Sequence, residues 1–106
     1  MRMGYFNRQG QPMSLEQWAV ALEDRSANRV AETTLPNGNW VSTVWLGPNH
    51  RFGEGPPLIF ETMVFLARGD GGELDCDRYS TEAEAVAGHE AMVRKWVALR
   101  SEEEKP

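Results

Sequence analysis

Residues with chemical potential concentrate in one loop, Gly47-Pro48-Asn49-His50-Arg51-Phe52-Gly53-Glu54-Gly55-Pro56-Pro57. Its three glycines can expose backbone N–H groups to an anion. Asn49 adds an amide, His50 and Arg51 offer charge-assisted hydrogen bonds, and Phe52 can stack on a base or ring. The pattern matches neither the P-loop nor GxGxxG, since no Lys-Ser/Thr follows it and no helix is expected after it. A packed Ω-type loop or an oligomer contact would account for the same residues without a ligand.

Glu61 is the single charge in the apolar run Leu58 to Ala67. A buried carboxylate costs several kcal/mol unless it is paired, so a partner is expected, and Arg78 lies within about one register step on the next strand. Glu61 then serves as a site acid or ligand acceptor, or as half of a structural pair. Trp40 and Trp45 point to opposite faces of one strand, which leaves one of them for binding or assembly. Trp18 and Trp96 fall on helix stripes and read as core.

His50 and His89 are the only histidines and Cys76 the only cysteine. Their spacing with Asp77 fits no metal motif, and His89 lies on an apolar helix stripe, where a satisfied core histidine is expected. No metal and no cofactor follow. Ser42 and Thr43 lack a G-x-S-x-G setting, Cys76 has no His partner in sequence, and no catalytic residue is assigned.

The elements that must position the loop can be read in order. Tyr5 and Phe6, then a turn over Asn7 to Gly10, form a short edge strand or arm. Ser14 and Gln17 make a capping box, Met13 and Trp18 a hydrophobic staple, and Leu15, Trp18, Ala19 and Leu22 one buried stripe of a helix. Arg29 to Leu35 and the strand from Trp40 flank Pro36-Asn37-Gly38-Asn39, a hairpin signal. A two-residue Asn-Gly turn there would set Leu35 opposite Trp40 and Thr33 opposite Ser42. Neither face of that hairpin is wholly apolar, which places it towards a sheet edge. Leu58 to Ala67 reads as a central strand, Asp70-Gly71-Gly72 as a turn, and Glu73 to Tyr79 as a polar strand pairing back. Thr81 and Glu84 cap a last helix whose stripe is Val86, His89, Val93 and Trp96, widened by Ala85, Met92 and Leu99, with Arg94, Lys95 and Arg100 towards its C-terminal end.

The expected fold is α+β: an antiparallel sheet of about four strands, five if the N-terminal stretch joins, with two helices packed on it. Residues 1–100 form one domain, with 101–106 a solvated tail. A net charge of −5 argues against wrapping duplex nucleic acid, although Arg51, Arg68 and Arg78 flank the central unit and suffice for a small anion. With no disulfide framework, no apolar leader and no run approaching a membrane span, the expectation is a cytoplasmic protein that does not engage a membrane.

The segment VSTVWLGPNHRFGEGPPLIFETMVF, followed by RYSTEAEAVAGHEAMV, resembles a group of small uncharacterised proteins of bacteriophages and actinobacteria. The N-terminal run of an aromatic, Asn7-Arg8, Gly10, Pro12 and Ser14-Leu15-Glu16-Gln17-Trp18 is similar to the same group. The resemblance implies a phage-type accessory protein and carries over no reaction. Small proteins in that setting often act by stoichiometric binding, such as sequestering an immune nucleotide signal.

Two readings follow. In the first, the chain is a non-enzymatic binder of a small anionic, nucleotide-like ligand, in a counter-defence role. Trp45, Asn49, His50, Arg51, Phe52, Glu61 and Arg78 would hold the ligand, with the site shared in a homo-oligomer. In the second, it is a protein-interaction module that inhibits or scaffolds a host or defence protein through its acidic surface and exposed aromatic.

Overall fold

A computed structural model describes residues 4–67 and 72–103, residues 100–103 by backbone alone. Arg68 and the Asp70-Gly71 part of the expected turn lie outside the described residues, as do residues 1–3 and 104–106. The order is β1 (Tyr5–Phe6), β2 (Pro12–Met13), α1 (Leu15–Leu22), α2 (Arg25–Asn28), β3 (Arg29–Thr34), β4 (Trp40–Trp45), β5 (Phe60–Phe65), β6 (Glu73–Tyr79) and α3 (Glu82–Glu103). The fold is α+β, with one antiparallel sheet ordered β3-β4-β5-β6 and a separate pair β1-β2.

The N-terminal strand therefore does not extend the main sheet. Phe6 N–H donates to Gly47 O at 2.9 Å and Asn49 N–H to Gly4 O at 3.2 Å, so β1 runs beside the start of the long loop instead. A third, short helix, α2, replaces the simple helix end expected over Glu23 to Asn28; Asp24 caps it by accepting from the N–H groups of Ser26 and Ala27.

The hairpin register is one residue away from the two-residue turn. Thr34 faces Trp40, Thr33 faces Val41 and Glu32 faces Ser42. The physical reason lies at Asn37, because among the described residues only glycines have positive φ, whereas a two-residue turn of that type needs it at both central positions. Gly38 N–H donates to Leu35 O at 2.9 Å and Leu35 N–H to Asn39 O at 2.7 Å, closing a three-residue loop with Gly38 at φ +91°. As expected, β3 lies at the sheet edge and β5 in the interior.

Alternation along the central strands divides the sheet into two faces. Val41 and Thr43 of β4, with Thr62 and Val64 of β5, turn towards α3. The core has two parts. Phe6, Trp45, Ile59, Phe60 and Ala85 meet where the N-terminal hairpin, α1 and the start of α3 converge, and Leu35, Val41, Val64 and Met92 pack under the middle of α3. Burying each of the large side chains is worth about 1.5–3 kcal/mol.

Both capping boxes form. Ser14 accepts from Gln17 N–H while the Gln17 side chain accepts from Ser14 N–H, and Thr81 and Glu84 do the same for α3. The α1 stripe is narrower than the sequence implies. Leu15 is 52% and Leu22 39% exposed, because α1 turns only Trp18 and Ala21 towards the core. On α3 the inward positions are Ala85, His89 and Met92, with Val93 and Trp96 partly buried against the same core, as expected; of the expected stripe Val86 faces outward at 42% exposure. The α3 backbone also continues through Glu103, so the first half of the expected tail is helical.

A buried polar line crosses beneath α3. His89 is 4% exposed; its Nδ1 lies 2.7 Å from Thr43 Oγ1 and its Nε2 2.9 Å from Thr33 Oγ1, while Thr43 Oγ1 lies 2.6 Å from Thr62 Oγ1. The expected core histidine is thus satisfied at both nitrogens. A neutral imidazole has one donor and one acceptor, and the hydroxyls can orient to suit either tautomer. Burial holds the His89 pKa below its ordinary 6.5, partly opposed by Glu90.

The consequence for stability has a definite sign. The unfolded chain takes up the proton first, so stability is full above about pH 6.5 and declines as pH falls towards the lower folded value. A series of denaturant melts from about pH 8 to pH 5 should show this decline, flattened in His89→Gln. Equal pH slopes for the two proteins would contradict it.

Candidate functional site

The long loop is built from its own side chains. Asn49 Oδ1 accepts from Arg51 N–H at 2.9 Å and Leu58 N–H at 3.0 Å, tying the two ends of the loop together. His50 N–H donates to Leu58 O at 2.9 Å. Arg51 Nε donates to Pro56 O at 2.6 Å, which lays the arginine across Gly55. A Cβ at Gly55 would stand 2.9 Å from the Arg51 guanidinium carbon, and φ is +133° there, so glycine is required for this arrangement.

This loop and the end of β6 line an open cleft of about 380 Å³, walled by Asn49, His50, Arg51, Phe52 and Arg78. Two arginines and a histidine meet there with no carboxylate among the lining residues, in a chain of net charge −5. Phe52 is 92% exposed on the loop. A phenyl ring that gains nothing from packing is available for stacking.

Glu61 stands behind the cleft. β5 places it opposite Arg78, and its Oε2 accepts from Arg78 Nε at 2.9 Å. Cys76 Sγ lies 3.7 Å from the same oxygen. Glu61 is 7% exposed, so the pair anchors the Arg78 guanidinium from the sheet side while Arg78 lines the cleft. Burial, followed by the charge of Glu61, raises the Cys76 thiol above its ordinary pKa, which favours its protonated form.

Of the expected site residues, the structure brings Asn49, His50, Arg51, Phe52 and Arg78 together, with Glu61 as support. Trp45 is not among them. Its indole N–H donates to Phe6 O at 2.8 Å and its ring is buried in the core under the N-terminal hairpin. The outward tryptophan of β4 is Trp40, stacked on Phe65 with ring centroids 4.4 Å apart. Strand alternation set the two tryptophans on opposite faces but could not say which face α3 would cover. Sequence reasoning also passed over Pro56, whose carbonyl fixes Arg51; a backbone acceptor leaves no trace in residue type.

Among the described residues, no group of three His, Cys, Asp or Glu side chains is placed to hold a metal ion, and no helix is long and apolar enough to cross a membrane. No family model, curated protein or solved structure matches the chain.

Proposed function

We propose that the chain is a non-enzymatic binder of a small anionic, nucleotide-like molecule, held in the cleft between the long loop and β6. The observation that carries this reading is the convergence of Arg51 and Arg78 with His50 around one cleft, beside an exposed Phe52. Arg51 and Arg78 receive phosphate oxygens by charge-assisted hydrogen bonds, and Phe52 stacks on the base. The resemblance to phage proteins extends the proposal to sequestration of a nucleotide signal in the cytoplasm.

The test is thermal shift and calorimetry across cyclic and ADP-ribose-type nucleotides. At least one member should raise the melting temperature by mass action. Arg51→Ala should weaken its binding about 10- to 100-fold, since a hydrogen bond to a charged group contributes about 1.5–3 kcal/mol. Arg51 is a cleaner position than Arg78, whose removal also strands the buried Glu61 charge. No response to any member of the panel would overturn the proposal.

A second reading, a module that docks on a host or defence protein, is favoured by the Trp40–Phe65 pair on the sheet face away from α3. Retention of a stoichiometric partner by Arg51→Ala and its loss from Trp40→Ala would support it.

A further inference from the structure

A second open hollow, of about 230 Å³, lies where the turn after β1 meets α1, α2 and β4. Its apolar wall is Met13, Ala21 and Trp45, and its polar wall includes Arg8 and Asn28. Trp45, which the loop cleft does not use, is held in place here by the 2.8 Å bond from its indole N–H to Phe6 O. The adjoining turn is fixed by its own side chain, since Asn7 Oδ1 accepts from Gln9 N–H at 3.0 Å and from Gln11 N–H at 2.9 Å. The hollow is therefore preformed.

One polar atom in it is unsatisfied. Asn28 Oδ1 is buried and accepts no hydrogen bond among the described residues. Folded chains seldom carry a buried carbonyl without a donor, so this one marks a place that a donor from outside the chain fits. Arg8 is positioned beside it. Its Nε donates to Glu82 Oε1 and its Nη1 to Ala27 O, each at 2.7 Å, which brings the guanidinium against the residue before Asn28. The Nη2 hydrogens remain for a further acceptor. Arg8 alone is charged among the described residues lining the hollow, and Glu82 already balances it. The site therefore asks for an uncharged occupant, and a phosphate would meet the Glu82 carboxylate. Water, at about 30 Å³ per molecule, would answer Oδ1 but leave the apolar wall wet.

We propose that this hollow binds an uncharged aromatic lactam, a flat ring presenting an N–H beside a carbonyl, as a nucleobase such as uracil does, free or as its nucleoside. The ring N–H donates to Asn28 Oδ1, the carbonyl accepts from Arg8 Nη2, and the ring lies against Trp45, Met13 and Ala21. The volume falls below the range of about 300–1,000 Å³ that suits larger ligands, which limits the occupant to a small ring system. The hollow shares no lining residue with the loop cleft, and neither proposal depends on the other.

Titration of assigned NMR spectra with uracil and with 1,3-dimethyluracil tests it. Uracil should shift the Trp45 indole N–H and the Met13 methyl saturably, with a Kd of about 1 mM for so few atoms. The dimethyl compound keeps the ring and both carbonyls but has no N–H, and should bind the unaltered chain about tenfold more weakly. Asn28→Ala should weaken uracil by about the same factor, whereas Arg51→Ala should leave its binding unchanged. Uridine in place of uracil separates the two sources, tighter binding marking a nucleoside and weaker binding a free base. No saturable shift up to the solubility of uracil, as for a hollow that holds only water, would overturn the proposal. So would equal binding of the dimethyl compound, undiminished binding by Asn28→Ala, or loss of binding in Arg51→Ala.

Discussion

Gly47→Ala is expected to destabilise the chain by about 3–4 kcal/mol, lowering its melting temperature by roughly 15 °C or more. Gly47 opens the long loop at φ +93°, and a Cβ there would stand 2.3 Å from Trp18 Nε1. The backbone conformation alone costs a non-glycine residue of order 1–3 kcal/mol. The collision adds to it, because Trp18 cannot retreat without losing contacts on both sides. Its indole N–H donates to Leu46 O at 3.0 Å, and its ring lies against Tyr5 with centroids 4.7 Å apart. Trp18 is also the main inward residue of α1, so the substitution should loosen α1 and the N-terminal hairpin together. Urea melts measure the loss, and Gly10→Ala, where a Cβ meets nothing within 4 Å despite φ +83°, isolates the backbone contribution. Equal losses at the two positions would mean that Trp18 does not press on Gly47.

Thr43→Val is expected to cost about 2–5 kcal/mol with little change in shape. Thr43 Oγ1 joins His89 to Thr62, and all three groups are buried. Valine keeps the volume but leaves His89 Nδ1 without a partner, at about 1–3 kcal/mol, and takes from the buried Thr62 hydroxyl its 2.6 Å bond to Thr43. The diagnostic result is non-additivity. Thr62→Val removes the Thr62 hydroxyl as well, so the double variant should lose less than the sum of the two single losses. Additive losses would show that the hydroxyls act separately.

What could be foreseen from the sequence divides along physical lines. The capping boxes at Ser14 and Thr81 depend on residues three apart, and both form. The Glu61–Arg78 pair followed from one charge in an apolar run and one cation a strand away, and the register delivers it. The hairpin register failed because Pro36-Asn37-Gly38 supports two turns, and only the backbone at Asn37 distinguishes them. Trp45 was misplaced for a similar reason, since period-two alternation fixes relative faces and leaves the covering helix undetermined. α1 seemed a buried helix because Leu15 and Leu22 share its stripe, yet the small N-terminal hairpin offers surface enough only for Trp18 and Ala21. The loop residues and Arg78 were legible as one candidate set; the fold adds that they line the same cleft.

The measurement that bears most directly on ligand binding is a two-dimensional NMR titration with the nucleotide that gives the largest thermal shift. The account predicts saturable changes confined to the amides of residues 49–52 and 78 and to the side-chain Hε signals of Arg51 and Arg78, with the amide of Gly88 on α3 unmoved. Saturable changes elsewhere, or none at ligand excess, would contradict it.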